Sequence, residues 1–113
     1  MRTLVYITQN PNKFSDTQKL LPTFHIEKAD FEVPEIQSLN PREVAEHKLR
    51  YAYGLTKMPC FVTDTSLFIE CLNGFPGPLV KWYFSKSVGG DKTCEIARLF
   101  GQFGIRWTTV LGY

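Results

Sequence analysis

The chain has 113 residues, 43% of them hydrophobic and 14% aromatic, which is ample material for one core and excludes a disordered chain. Its 13 lysines and arginines stand against 11 aspartates and glutamates, a balance of +2 that argues against a nucleic-acid polymer as partner. Three cysteines at positions 60, 71 and 94 form neither a disulfide framework nor a zinc motif. With no signal peptide and no membrane-length apolar run, the expectation is a single α/β domain over residues 1–113 in the reducing cytoplasm.

Arg2 to Thr8 is a short β-rich run. It breaks at Gln9-Asn10-Pro11-Asn12, and Lys13 to Leu21 reads as a helix stopped by Pro22. A strand, a tight polar loop and a helix place backbone N–H groups where an anion could sit. Thr8, Asn10 and Lys13 would then offer a hydroxyl, an amide and a cation to a triphosphate. The same residues are also compatible with an ordinary capped helix. The loop lacks the glycines of a Walker motif.

Phe24 to Ala29 is a weaker second strand, and Asp30 to Asn40 an acidic, proline-interrupted connection carrying Glu32 and Glu35. Asn40 and Pro41 supply the cap and first turn of a helix to about Thr56, with Val44, Ala45, Leu49, Ala52 and Leu55 on its apolar face. At about 100° per residue, Lys48 falls inside that face. It either snorkels past the core edge or points into a site that needs a cation. His47 lies on the flank.

Cys60 to Thr63 is a short apolar run, so Asp64 is expected at a strand end, where ligand-binding residues of open α/β sheets collect. Leu72-Asn73-Gly74-Phe75-Pro76-Gly77-Pro78 is dense in turn formers, and Pro78 suits the start of a helix that carries Lys81 and runs to about Ser87. A carboxylate, a tight loop and a lysine suit an anion and metal site, or equally a surface turn with a capping aspartate. Val88-Gly89-Gly90 reads as a break, Asp91 as the cap of a helix from Lys92 to Phe100, and Ile105 to Leu111 as a closing strand. The order β-α-β-α-β-loop-α-α-β implies an α/β fold with a mixed β-sheet flanked by helices.

Taken together, these stretches resemble the inosine/xanthosine triphosphate pyrophosphatase family. Its members hydrolyse non-standard purine nucleoside triphosphates such as ITP and XTP to monophosphate and pyrophosphate. Thr8-Gln9-Asn10-Pro11-Asn12-Lys13 looks like the family's Thr-Gly-Asn-x-x-Lys opening, with Gln9 in place of glycine. Pro34-Glu35-Ile36-Gln37 is similar to its glutamate-containing segment, and Lys48 to its helical lysine. Asp64-Thr65-Ser66-Leu67 and Leu72 to Pro78, with Lys81-Trp82, match most closely.

The resemblance implies that Thr8, Asn10, Lys13, Lys48 and Lys81 contact the triphosphate of the substrate. It implies that Glu35 and Asp64 bind Mg²⁺, and that Asp64 helps activate water. It implies the larger lobe of that fold. The second lobe, with its Phe-Gly-[Trp/Tyr]-Asp and Ser-His-Arg base-reading motifs, has no counterpart in these residues, whose only histidines are His25 and His47. A truncated enzyme is one expectation; a non-catalytic nucleotide-binding or protein-interaction module derived by truncation is the other, favoured by Gln9 where glycine would permit φ > 0. A homodimer is expected either way, covering apolar side chains such as Trp82, Phe84, Phe103 and Trp107.

Overall fold

A computed structural model describes residues 1–29 and 32–113, so Asp30, the first residue of the acidic connection, lies outside the described residues. The chain is α/β, with strands β1 (Arg2–Ile7), β2 (Phe24–Ala29), β3 (Cys60–Ile69), β4 (Pro76–Gly77) and β5 (Ile105–Gly112). Its helices are α1 (Pro11–Leu20), α2 (Pro41–Thr56), α3 (Val80–Trp82) and α4 (Gly89–Phe100). The pairing is mixed: β1 runs parallel to β2 and to the start of β3, while β3 and β4 are antiparallel. No described helix is long and apolar enough to cross a membrane.

The chain divides into two compact units: Met1–Ile36 with Ala45–Thr63 and Leu111–Tyr113, and Gln37–Val44 with Asp64–Val110. In the first unit β1 pairs along its whole length with β2, Leu4 opposite Ile26, and pairs through Val5 and Tyr6 with Cys60 and Phe61. Being paired on both edges, β1 is central and apolar: Val5, Tyr6 and Ile7 are all buried. Tyr6, Ile26 and Phe61 form a core against which Phe14 of α1 and Leu21 just beyond it pack. The Tyr6 and Phe61 rings stack at 4.5 Å, and the Tyr6 hydroxyl, too polar to be buried alone, lies 2.6 Å from the Thr63 hydroxyl.

In the second unit the chain leaves β3 through a 3₁₀ turn at Glu70–Leu72 and reverses at Asn73 (φ 55°) and Gly74 (φ 90°). It returns through a cis Phe75–Pro76 peptide to lay β4 against Leu67 and Phe68. Leu67, Ile69 and Tyr83 make the core here, flanked by Cys71, Leu72 and Val80. Strand β5 pairs with β3: the Thr65 and Thr109 hydroxyls lie 3.4 Å apart, and Glu70 N–H donates to Gly104 C=O at 2.9 Å. Positions rise on one strand as they fall on the other, so the two run antiparallel.

Several elements differ from the sequence expectations. Strand β3 extends to Ile69, so Asp64 lies within a strand and not at its end; the hydroxyl-bearing Thr63, Thr65 and Ser66 continue an extended run that apolarity alone cuts short. Pro78 lies in a turn and the helix begins at Val80, with a π-helical stretch from Tyr83 to Ser87. Helix α4 begins at Gly89, whose φ of 79° makes the bend, so Asp91 sits in the first turn and not at the cap. Leu55, expected on the apolar face of α2, is 59% exposed. Helix α1 starts at Pro11, two residues early, because Asn10 already caps it.

Candidate functional site

The first unit builds its polar cluster at the start of α1. Asn10 Oδ1 accepts from the N–H groups of Asn12 (3.0 Å) and Lys13 (3.2 Å), and Pro11 occupies the first helical position, where no N–H is needed. Thr8 Oγ1 accepts from Asn10 N–H at 3.1 Å and so holds the loop that presents the cap. Lys13 is exposed on the first turn. The capping reading of this loop is the one the contacts show: the first-turn N–H groups of Asn12, Lys13 and Phe14 are all taken up by Asn10. Among the described residues only Lys57 and Asn73 combine a side chain with positive φ, so Gln9 adopts backbone that glutamine takes without strain. The substitution for glycine leaves this loop intact.

On α2, Lys48 Nζ lies 3.2 Å from Glu35 Oε1, with side-chain exposures of 16% and 50%. Its position inside the apolar stripe is thus reconciled with burial by a carboxylate thirteen residues earlier. This contact brings together a residue assigned to phosphate and one assigned to metal. The ion pair fixes the lysine head while half the carboxylate surface faces solvent.

Asp64 and Lys81 belong to the second unit. Asp64 is 7% exposed, a carboxylate held by a strand and not a loop, and Lys81 is exposed on α3. Ser66, two residues along β3, is fully buried, and its hydroxyl has no hydrogen-bond partner among the described residues. Strand periodicity puts Asp64, Ser66 and Phe68 on one face of β3. Phe68 carries the Arg106 guanidinium 4.5 Å from its ring centroid. Reading the strand as ending at Thr63 hides that alignment, and the period-two rule applied through Ile69 would have found it.

No cluster of three or more His, Cys, Asp and Glu side chains exists among the described residues. The donors assigned to magnesium, Glu35 and Asp64, are both carboxylates; an oxygen-only set of one or two such groups, completed by phosphate oxygens and waters, is what Mg²⁺ takes. The donor chemistry fits the ion. Elsewhere, burial pushes the Cys60 thiol above its ordinary range, opposed in part by a hydrogen bond from Thr56.

A capped helix N-terminus follows the first strand, and an acidic residue is buried within a central strand of an α/β protein. The Ham1 family model matches residues 4–110, and the chain belongs to that family. It is 37% identical to an inosine triphosphate pyrophosphatase of Schizosaccharomyces pombe and 32% identical to a dITP/XTP pyrophosphatase of Methanosarcina acetivorans, in both cases across the whole of this chain. Those alignments take in 60% and 62% of the relatives, so the chain spans about three fifths of their length. Among solved structures, a HAM1 protein from Coxiella burnetii superposes with a TM-score of 0.78 at 24% identity, over 98% of this chain and 62% of that one. The Ham1 protein of Staphylococcus aureus gives 0.68 at 24% identity, over 97% and 62%, so the fold is shared.

Proposed function

We propose that the chain is a Mg²⁺-dependent nucleoside triphosphate pyrophosphatase, cleaving the α–β anhydride of non-standard purine nucleotides such as ITP and XTP to monophosphate and pyrophosphate. The observation that carries this reading is family membership over residues 4–110, with relatives named for that activity, in a chain that keeps a fitting side chain at each assigned position.

The capped start of α1, with Thr8, Asn10 and Lys13, receives phosphate oxygens through backbone dipoles and a cation. Lys48 and Lys81 spread the remaining negative charge, Lys48 exchanging its bond to Glu35 for one to phosphate. Glu35 and Asp64 hold the magnesium ion, which when bound acidifies a water and neutralises charge gathering on the leaving pyrophosphate. Asp64 orients the attacking water and accepts its proton. Little covalent work falls to the protein; positioning and charge carry the reaction.

The exposed Trp82 (62%), Phe84 (36%), Phe103 (67%) and Trp107 (58%) support a homodimer in which a second copy covers them; sedimentation showing monomer throughout the micromolar range would count against it. Three free cysteines support a reducing, cytoplasmic setting.

The activity is tested by following products from ITP, XTP, ATP and GTP with Mg²⁺ at mildly alkaline pH. Monophosphate and pyrophosphate in equal amounts, fastest from ITP or XTP, is the expected outcome. Orthophosphate with diphosphate, or no turnover, would overturn it.

A further inference from the structure

Ser66 is a buried polar group of the second unit that the proposed chemistry leaves unused. Its surface is 0% exposed, and its hydroxyl has no hydrogen-bond partner among the described residues. Such a hydroxyl has given up water and gained nothing in return, so an alanine would stand there at less cost. Folded proteins keep few groups of this kind, and those that persist mark an internal water or a functional constraint. The neighbours of Ser66 show which. The Thr65–Thr109 contact and the Glu70–Gly104 backbone bond, just beyond both strands, fix one register for the β3–β5 pair, and that register sets Thr108 opposite Ser66. Thr65 and Thr109 share one face of the pair, so Ser66 and Thr108 share the other, and Asp64, two residues from Ser66, stands with them. Three oxygen-bearing side chains therefore occupy one face: Ser66, a partly buried Thr108, and Asp64 at 7% exposure.

We propose that an internal water joins the Ser66 and Thr108 hydroxyls to the Asp64 carboxylate, which makes Ser66 a positioning residue for that carboxylate; the positioning role rests on the pyrophosphatase reading above. Residues two apart on a strand lie about 7 Å apart at Cα. A hydroxyl and a carboxylate so placed are spanned by one water making two bonds of about 2.8 Å. A buried water is held by two to four polar partners, and this face offers three. The Ser66 hydroxyl donates to the water, which donates in turn to Asp64 and to the Thr108 oxygen. A carboxylate accepts several bonds at once, so this one adds to any other that Asp64 makes. Holding one carboxylate oxygen from behind fixes the direction of the other, which the proposed reaction uses to orient the attacking water.

The test compares the wild-type chain with Ser66→Ala, Thr108→Val and Thr108→Ser, first without metal and then in turnover. In metal-free melting curves Ser66→Ala should melt a few degrees below the wild type. That loss should shrink in an Asp64→Asn background, where the charge that strengthens the bond is gone. Ser66→Ala melting at or above the wild type, or an equal loss in both backgrounds, overturns the link to Asp64. In pyrophosphate release from ITP with Mg²⁺, Ser66→Ala should lose roughly tenfold in kcat while KM stays within about twofold. Thr108→Val should lose less, and Thr108→Ser, which keeps the hydroxyl, should recover what Thr108→Val loses. An unchanged kcat in Ser66→Ala overturns the positioning role and leaves the pyrophosphatase reading standing. Wild-type protein that releases no pyrophosphate overturns that reading and the positioning role with it, while the metal-free melts still decide the link between Ser66 and Asp64.

Discussion

The two units of the chain handle polar groups differently. In the first, the assigned side chains are already engaged with one another: Asn10 caps α1, Thr8 holds the capping loop and Lys48 is paired with Glu35. In the second, Asp64 is buried on a strand, Ser66 keeps a buried hydroxyl without a partner, and Arg106 rests on an aromatic ring with no carboxylate in reach among the described residues. Its surface is also rich in apolar groups, from Trp82 to Leu99, Phe103, Ile105 and Trp107. The first unit is complete in its local contacts. The second presents exposed apolar side chains of the kind a partner surface covers.

Core truncations give the largest effect and set the baseline for both units. Ile26→Ala in the first and Leu67→Ala in the second, at 4% and 3% exposure, should each lose about 2–5 kcal/mol in denaturant titrations. Leu99→Ala, at 81% exposure, should stay within about 0.5 kcal/mol; a large loss there would mean that this surface is already covered.

Glycines sharpen the contrast at an intermediate size. Gly104→Ala pushes the tip of the Glu70 side chain aside and should cost about 0.5–1.5 kcal/mol as that exposed hydrogen bond is lost. Gly54→Ala, in the interior of α2 with no atom within 4 Å of the added Cβ, should instead stabilise by about 1 kcal/mol. Thermal melts of the two variants should therefore move in opposite directions. Lys48→Met breaks a half-exposed ion pair and should shift stability by under about 1 kcal/mol while weakening tripolyphosphate binding measurably.

The smallest effect concerns thiols. Because burial raises the Cys60 pKa, its reactive thiolate appears only at higher pH than that of an ordinary thiol. Alkylation followed by mass spectrometry should label exposed Cys94 first and Cys60 last as pH rises. Cys60 labelling first at neutral pH would mean that the start of β3 opens readily.

Much of the first unit was legible in the sequence. The β-rich runs at Arg2 and Phe24 and the Asn40–Pro41 start of α2 carry local signals, and the structure places them as expected. Lys48 stood out by helical period, but its partner Glu35 lies in an irregular stretch with no period to follow. The second unit was harder to read. A two-residue strand of proline and glycine looks like a turn in sequence, so β4 was invisible until Leu67 and Phe68 supplied its pairing. Hydroxyl residues disguised the length of β3, and with it the common face of Asp64, Ser66 and Phe68. The Phe68–Arg106 contact depends on strand register, which no local pattern encodes.

The most direct measurement is Mg²⁺-dependent pyrophosphate release from ITP by the wild-type chain and by Asp64→Asn. The account predicts release by the wild type and a loss of at least about a hundredfold in a variant that melts as the wild type does. Equal release by both proteins, or none by the wild type, would contradict it.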